Sequence, residues 1–434
     1  MRVKANATRR SAVFKPPLGR KVAAIALILG LLSCSRSDTP APTKTITILG
    51  QFSAEDAAKF EASLAPFEEQ SGIDIVYESA DNFSSLLRMR ISAFNAPDLA
   101  ILPQPGLMAD LARDGLLVPL PEVMEMQGLR SSYSDDLLDL GTVDGVPYGL
   151  WYRVSVKSLV WYQPTAFEKK GYGIPQTWNE LMALSDRIVA DGGTPWCIGF
   201  ESGAASGWPG TDWVEDMLLR QAGPEVYNQW INHQLPFNAP PIVKAVDAFG
   251  NLLRKPKYVS GGASKVTDIS VAQAAKGIFG NSPDCYLHRQ GNFAASFFSE
   301  DQRPRVDYDV FALPGINETF GTPLLISGDA AVLINKTPET VALMKYMATP
   351  RPHMVWAGLG GFISPNQEVP ISAYSDLVTQ NIAQILLDAD SVRFDASDMM
   401  PSSVGTGTFW SGMMDFANGK SAEAMTQEIE ASWP

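Results

Sequence analysis

The feature that most constrains this chain is an alternation of element types near its start. Thr45 to Leu49 is β-branched and alternating, as a half-buried strand is. Gly50-Gln51-Phe52 turns, and Ser53 stands three residues before Asp56, the spacing of a capping box. Phe60, Leu64 and Phe67 follow at helical spacing, and Gly72 is placed to end that helix. Ile73 to Tyr77 reads as a second strand. A helix around Ser84 to Phe94 leads to the continuously apolar strand of Asp98-Leu99-Ala100-Ile101-Leu102. Strand, helix, strand, helix, strand predicts a parallel sheet covered on both faces. Ligands of such sheets bind beyond the carboxyl ends of the strands. Those ends are Gly50–Phe52, Ser79–Asn82 and Pro103–Gly106.

At 434 residues the chain is too long for one ordinary core and suits two lobes. Gly141 to Trp161, rich in Gly, Tyr and Trp, reads as the crossing between them. Thr177 with Glu180 opens a further helix, as does Thr337-Pro338. Trp208-Pro209-Gly210-Thr211-Asp212 reads as a loop before a helix running toward Arg220, and Gly358 to Pro365 as a glycine-rich turn.

Charge divides the chain unevenly. Residues 1–33 hold seven of the 34 Lys and Arg and no acid, leaving 27 basic against 47 acidic residues beyond them. So acidic a body argues against binding nucleic acid or an anionic membrane surface by charge, and suits a neutral ligand. The basic stretch ends at Arg20-Lys21, and the apolar run Val22 to Leu32 is too short to span a bilayer of roughly 30 Å. This is the signal-peptide pattern. Its end, Leu31-Leu32-Ser33-Cys34, resembles the bacterial lipobox, which implies cleavage before Cys34, lipidation of its thiol and anchoring to a membrane. A polar, Pro-containing tether follows over 34–44. Cys197 and Cys285 remain. In an exported protein such an even pair is expected to be a disulfide, with two buried thiols as the alternative.

Signatures of catalysis are sparse. The sequence has no G-x-S-x-G, H-E-x-x-H, phosphate-binding loop or G-x-G-x-x-G. His233, His288 and His353 are far apart and lack metal-ligand spacing. No metal or cofactor is expected. A hydrolase using two carboxylates needs no local motif and stays open as the alternative. The ten Trp are more telling, because many lie in polar, glycine-rich context. A sugar presents a C–H face that a flat aromatic covers and a hydroxyl edge that polar side chains satisfy. Trp208 beside Asp212, and Trp151-Tyr152 beside Arg153, offer that combination, although a single Trp is more often core.

Several segments carry a family resemblance over essentially the whole chain after Cys34. They are Pro97-Asp98-Leu99-Ala100 with Pro103-Gln104-Pro105-Gly106; Pro175-Gln176-Thr177-Trp178-Asn179-Glu180-Leu181; Glu201 to Pro209 with Thr211-Asp212-Trp213; Gly360-Gly361-Phe362-Ile363-Ser364-Pro365-Asn366; and Arg393-Phe394-Asp395-Ala396-Ser397-Asp398. The chain resembles the extracellular sugar-binding proteins of ABC importers, and within them the α-glucoside-binding lipoproteins. It departs from the wider family at Gln163, where Asn usually follows the interdomain Trp-Tyr. The resemblance implies a two-lobed α/β periplasmic-binding-protein fold with a hinge and a cleft between the lobes. It implies an N-terminal lobe of 45–150 and about 310–357, and a C-terminal lobe of 151–309 and about 358–434. It implies no catalysis, a monomer, and as partners a small sugar and the membrane subunits of an ABC permease. Sugars such as trehalose, sucrose, maltose and glucosylglycerol share the glucosyl unit. Asp81 and Gln104 are expected as hydroxyl partners from the first lobe, Trp208 as the stacking surface, Gly360 and Gly361 as close backbone with Phe362 beside them, and Arg393 as a donor. Other roles stay open: a helix cap for Asp81, a solvated loop residue at Gln104, an ion pair with Asp395 or Asp398 for Arg393. Asp395 and Asp398 themselves are read as structural, holding their loop.

Overall fold

The computed structural model describes residues 44–434 apart from Asp81. The expectations for Cys34, the signal segment and Asp81 lie outside the described residues. Among the described residues no helix is long and apolar enough to cross a membrane.

The first three strands are β1 (Lys44–Gly50), β2 (Ile73–Ser79) and β3 (Leu99–Leu102), and both β2 and β3 pair with β1 in parallel. The Ala54–Ser71 helix between β1 and β2 starts where Ser53 Oγ accepts from Asp56 N at 3.2 Å. The Asp56 carboxylate leaves the cap and meets Arg153 instead, at 2.8 Å. Gly72 ends the helix at φ 68°, a conformation that favours glycine. Phe60, Leu64 and Phe67 are buried as expected. A short hairpin, β4 (Thr142–Val143) with β5 (Val146–Pro147), leads into β6 (Leu150–Val156).

The sheet is not wholly parallel. A late strand, β10 (Leu324–Leu333), lies antiparallel to both β3 and β6, and β11 (Val392–Phe394) joins the other half of β10 in parallel. The alternation at the start of the chain cannot announce strands that arrive more than two hundred residues later. A second, antiparallel sheet orders β8 (His288–Arg289), β7 (Leu159–Tyr162) and β9 (Asp309–Ala312) with β7 in the centre. β9 thus belongs to the second sheet, while β11 returns to the first.

The second lobe packs around the Trp208–Ile231 and Pro240–Leu253 helices, with Trp196, Trp213, Trp230 and Phe249 buried between them. Trp208 to Asp212 is the first turn of its helix, not a loop before it. Pro209 suits the first turn, where its missing N–H has no helical partner. Gly207 precedes it at φ 105°, where a side chain would meet the Trp410 carbonyl at 2.1 Å. Gly223 (φ 86°, ψ 172°) breaks the helix before Pro224.

Where the chain passes between the sheets, buried charges hold it. Lys157, between β6 and β7, donates to Asp212 Oδ1 at 3.0 Å and to Asp395, the residue after β11. Arg289 on β8 donates to Asp212 at 3.0 Å and to Asp216 at 2.8 Å. Arg220 pairs with Asp216 and donates to the carbonyls of Pro323 (2.8 Å), Leu313 (3.0 Å) and Pro314 (3.1 Å), in the segment joining β9 to β10. Ser158 Oγ donates to Asp216 at 2.6 Å and accepts from Leu325 N at 2.7 Å.

The Cα atoms of Cys197 and Cys285 lie 5.4 Å apart, a separation that fits a disulfide closing a loop across 88 positions of sequence. Closing a loop of that length stabilises by about 4 kcal/mol in the chain-entropy account. Reduction, or Cys197→Ser with Cys285→Ser, is expected to lower the melting temperature by several degrees and to leave the far-ultraviolet spectrum unchanged. Thermal unfolding with and without reductant measures it, and an unchanged melting temperature contradicts it.

Candidate functional site

The carboxyl end of β3 opens onto a cleft of about 940 Å³. Gln104 stands there at the cap position of the Pro105–Arg113 helix, yet its side chain makes no capping bond. Its Oε1 is 3.5 Å from Ser84 Oγ, so the amide keeps capacity for a ligand. Arg393, on β11, and Asp398, in the short Ala396–Met399 helix, line the same cleft. Arg393 Nη1 donates to Asp136 Oδ1 at 2.9 Å and to the Val392 carbonyl at 2.8 Å. Its Nε is buried without a partner among the described residues. Neither Asp395 nor Asp398 takes the Arg393 charge, because Lys157 and Ser397 hold Asp395.

Trp208 is not among the residues that line this cleft. Its ring lies 5.3 Å from the Lys157 ammonium and 5.9 Å from the Phe293 centroid, and it is half-buried. Gly360 and Gly361 turn the chain at φ 84° and 72° after the Pro350–Leu359 helix. A Cβ on Gly361 would lie 3.7 Å from Lys59 Nζ, so this turn belongs to the Ala54–Ser71 side and not to the lining around Gln104 and Arg393.

Four residues expected as contacts are buried in this conformation. Trp151 (2% exposed) packs on Phe394 at 5.2 Å. Tyr152 is fully buried with its hydroxyl on Ser63 Oγ at 2.8 Å, and Phe362 stacks on Trp356 at 4.9 Å. Asp212 is fully buried between Lys157 and Arg289. The three aromatics are committed to the core and the carboxylate to its cations, so none has surface to offer a ligand in this conformation.

The cleft floor carries unusual charge. Burial, reinforced by Asp395, pushes the Asp398 carboxyl up to about 7 against the opposing pull of Lys157. Burial and the Asp395 and Asp212 charges push Glu215 well above the ordinary carboxylate range. Its Oε1 accepts from Ser397 N at 3.2 Å. Asp395 is held low: burial would raise it, but Lys157 and its hydrogen bond more than offset that. Carboxylate oxygens of Asp212, Glu215 and Asp395 lie within 4.8 Å of one another, the spacing a metal ion needs. The Lys157 ammonium bonds to two of the three and supplies the cation itself. A hydroxyl–imidazole pair also exists, Ser364 Oγ with His353 Nδ1 at 2.9 Å. His353 is sealed in the core, burial depresses it to about 4, and its Nε2 serves the Met347 carbonyl at 2.9 Å. The pair ties the Gly360–Asn366 segment down and has no path to a substrate.

Sequence reasoning passed over Lys157. One signal for it was available. A lone cation inside Val154-Ser155-Val156-Lys157-Ser158-Leu159-Val160 has apolar neighbours on both sides and must find buried acids.

Because the folded-state value of Asp398 is raised, its contribution to stability is full below about pH 4 and is lost as pH rises toward 7. Asp398→Asn cannot ionise. Its melting temperature is expected to gain on the parent between pH 4 and 7 and to run parallel above that. Parallel curves over the whole range would contradict the assignment.

Comparison with known proteins agrees with this architecture. Residues 52–354 match the family described as bacterial extracellular solute-binding protein. The osmoprotective compounds-binding protein GgtB of Synechocystis sp. is 48% identical over 394 residues, 90% of this chain and 93% of its own. The alpha-glucosides-binding periplasmic protein AglE of Rhizobium meliloti is 39% identical over 399 residues, 90% of this chain and 87% of its own. Among solved structures, the bacterial solute receptor AcbH superposes with a TM-score of 0.75 at 18% identity, over 90% of this chain and 97% of that one. The chain belongs to the family of bacterial extracellular solute-binding proteins and has their two-lobed fold.

Proposed function

We propose that this protein is the substrate-binding component of an ABC importer, and that it captures a small neutral α-glucoside for delivery to the membrane permease. One observation supports the reading most: Gln104, at a strand end of the first sheet, shares a cleft with Arg393 and Asp398. The cleft offers an amide, a guanidinium and a carboxyl, the donor and acceptor set that sugar hydroxyls need. The relatives' names, an osmoprotective compounds-binding protein and an alpha-glucosides-binding protein, support an uncharged glucoside of the trehalose, sucrose, maltose or glucosylglycerol kind. Ligand held from both sides stabilises the closed state over the open one, and the permease reads that difference. The first lobe is proposed to comprise 45–150 with the β10 region, and the second 159–312 with the C-terminal helices.

Calorimetry with these four sugars is expected to show saturable binding to one or more, with no product on chromatography. Arg393→Ala is expected to weaken binding about ten- to a hundredfold, roughly 1–3 kcal/mol, by removing a charge-assisted donor. Trp208 does not line this cleft, so Trp208→Ala is expected to lose a similar amount of apolar and aromatic contact only if the bound state brings its half-buried ring onto the ligand. If both variants fold and bind as tightly as the parent, the ligand sits elsewhere.

Export and anchoring are part of the same proposal, with Cys34 as the acylated residue. Cys34→Ala is expected to move the protein from the membrane to the soluble fraction or to leave it unprocessed. Unchanged fractionation and mass exclude the anchor.

A further inference from the structure

The cleft extends beyond the part that Gln104 and Arg393 claim. Its volume of about 940 Å³ lies near the top of the range for small-ligand pockets, roughly 300–1,000 Å³. Its lining also includes Asp139, from the Asp135–Leu140 helix, together with Asn228 and Thr406.

Local backbone features put these side chains there. Asn228 lies beyond the Gly223–Pro224 break, in the redirected second half of the Trp208–Ile231 helix. Thr406 lies in a π-helical turn, Val404–Phe409, of a kind that gathers at functional sites. Gly405 presses that turn onto Ser397: a Cβ there would lie 1.9 Å from the Ser397 carbonyl.

Their hydrogen-bonding capacity is largely unspent. The Asn228 carbonyl is taken by Asn232 Nδ2 at 3.0 Å, but its side-chain amide makes no hydrogen bond among the described residues. Thr406 Oγ1 donates to the Ser402 carbonyl at 3.1 Å and keeps its lone pairs. The charges nearby are mostly matched: Arg88 with Asp110 at 2.8 Å, Arg113 with Asp144 at 3.2 Å, and Arg393 with Asp136 at 2.9 Å. Asp139 has no cation opposite it among the described residues, so it presents a net negative charge to the cleft.

We infer that Asp139, Asn228 and Thr406 form a second subsite, which takes the non-glucosyl part of a neutral, hydroxyl-rich ligand and turns away ligands whose second part is anionic. The inference rests on the reading of the cleft as a glucoside site. Asn228 offers both donor and acceptor, and Thr406 and Asp139 accept from hydroxyls. A phosphate or carboxylate in the same place would meet the Asp139 charge, while the nearby guanidiniums of Arg88 and Arg113 are paired with other acids.

Calorimetry on the full chain tests it, with methyl α-D-glucopyranoside, trehalose, sucrose, maltose and glucose 1-phosphate as probes. The parent is expected to bind its best disaccharide at least about tenfold more tightly than methyl α-D-glucopyranoside, and to bind glucose 1-phosphate more weakly than either. Asn228→Ala is expected to cut that disaccharide preference about tenfold. Asp139→Asn is expected to raise the affinity for glucose 1-phosphate severalfold, an effect that a merely structural role would not produce. Glucoside binding with both discriminations unchanged in the variants overturns the subsite and leaves the functional reading standing. Absence of binding to every glucoside overturns the functional reading and the subsite with it.

Discussion

The structure turns on one ammonium group. Lys157 lies between two sheets, almost wholly out of water, and bonds to Asp212 on a helix of one lobe and to Asp395 at the end of β11. Taking such a charge from water costs several kcal/mol even in a relaxed protein, so the pairing has to be close and complete. Arg220 and Arg289 extend it. Three cations thus face the three carboxylates Asp212, Asp216 and Asp395, and burial pushes Glu215 beside them well above the ordinary carboxylate range. Removing any one partner would strand a buried charge, at about 3–5 kcal/mol.

A polar pivot answers a problem of topology. Segments that pass between sheets leave backbone carbonyls without strand partners, and buried carbonyls need donors. The Arg220 fork reaches three of them around the β9–β10 connection, a task no apolar side chain could take. The same cluster borders the cleft. Asp398 feels Asp395, Lys157 and Asp212, so the charge seen by a ligand and the charge that holds the crossings are one electrostatic system.

Local signals in the sequence were read well, and distant ones were not. The β1–β3 alternation, the Ser53 and Thr177 caps and the Gly72 stop are all properties of a few adjacent residues, and the structure has them. The antiparallel β10 in the middle of the same sheet was invisible, since strand order follows from long-range packing. Trp208–Asp212 looked like a loop because Pro and Gly usually break helices, but Pro at a first turn starts one. At the site, Gln104 and Arg393 could be placed in one cleft from motif alone. Trp151 and Tyr152 misled because an aromatic beside an arginine looks the same on paper whether it faces a sugar or the core. Arg153 in fact lies 4.4 Å above the Phe52 ring and reaches Asp56 and Asp329. Asn228 and Thr406, nearly 180 positions apart, carried no local pattern at all.

The position of β10 and β11 also sets the order of assembly. The first sheet lacks an interior strand until residue 333 and an edge until residue 394, although its other strands are complete by residue 156. Pairings of such sequence separation form slowly, because loop closure must precede the contacts that reward it. A partial chain thus exposes the long flanks of β3 and β6 with nothing between them. Late closure therefore leaves a partial chain without its completed sheet. It also ties completion of the fold to arrival of the C-terminal tenth of the protein.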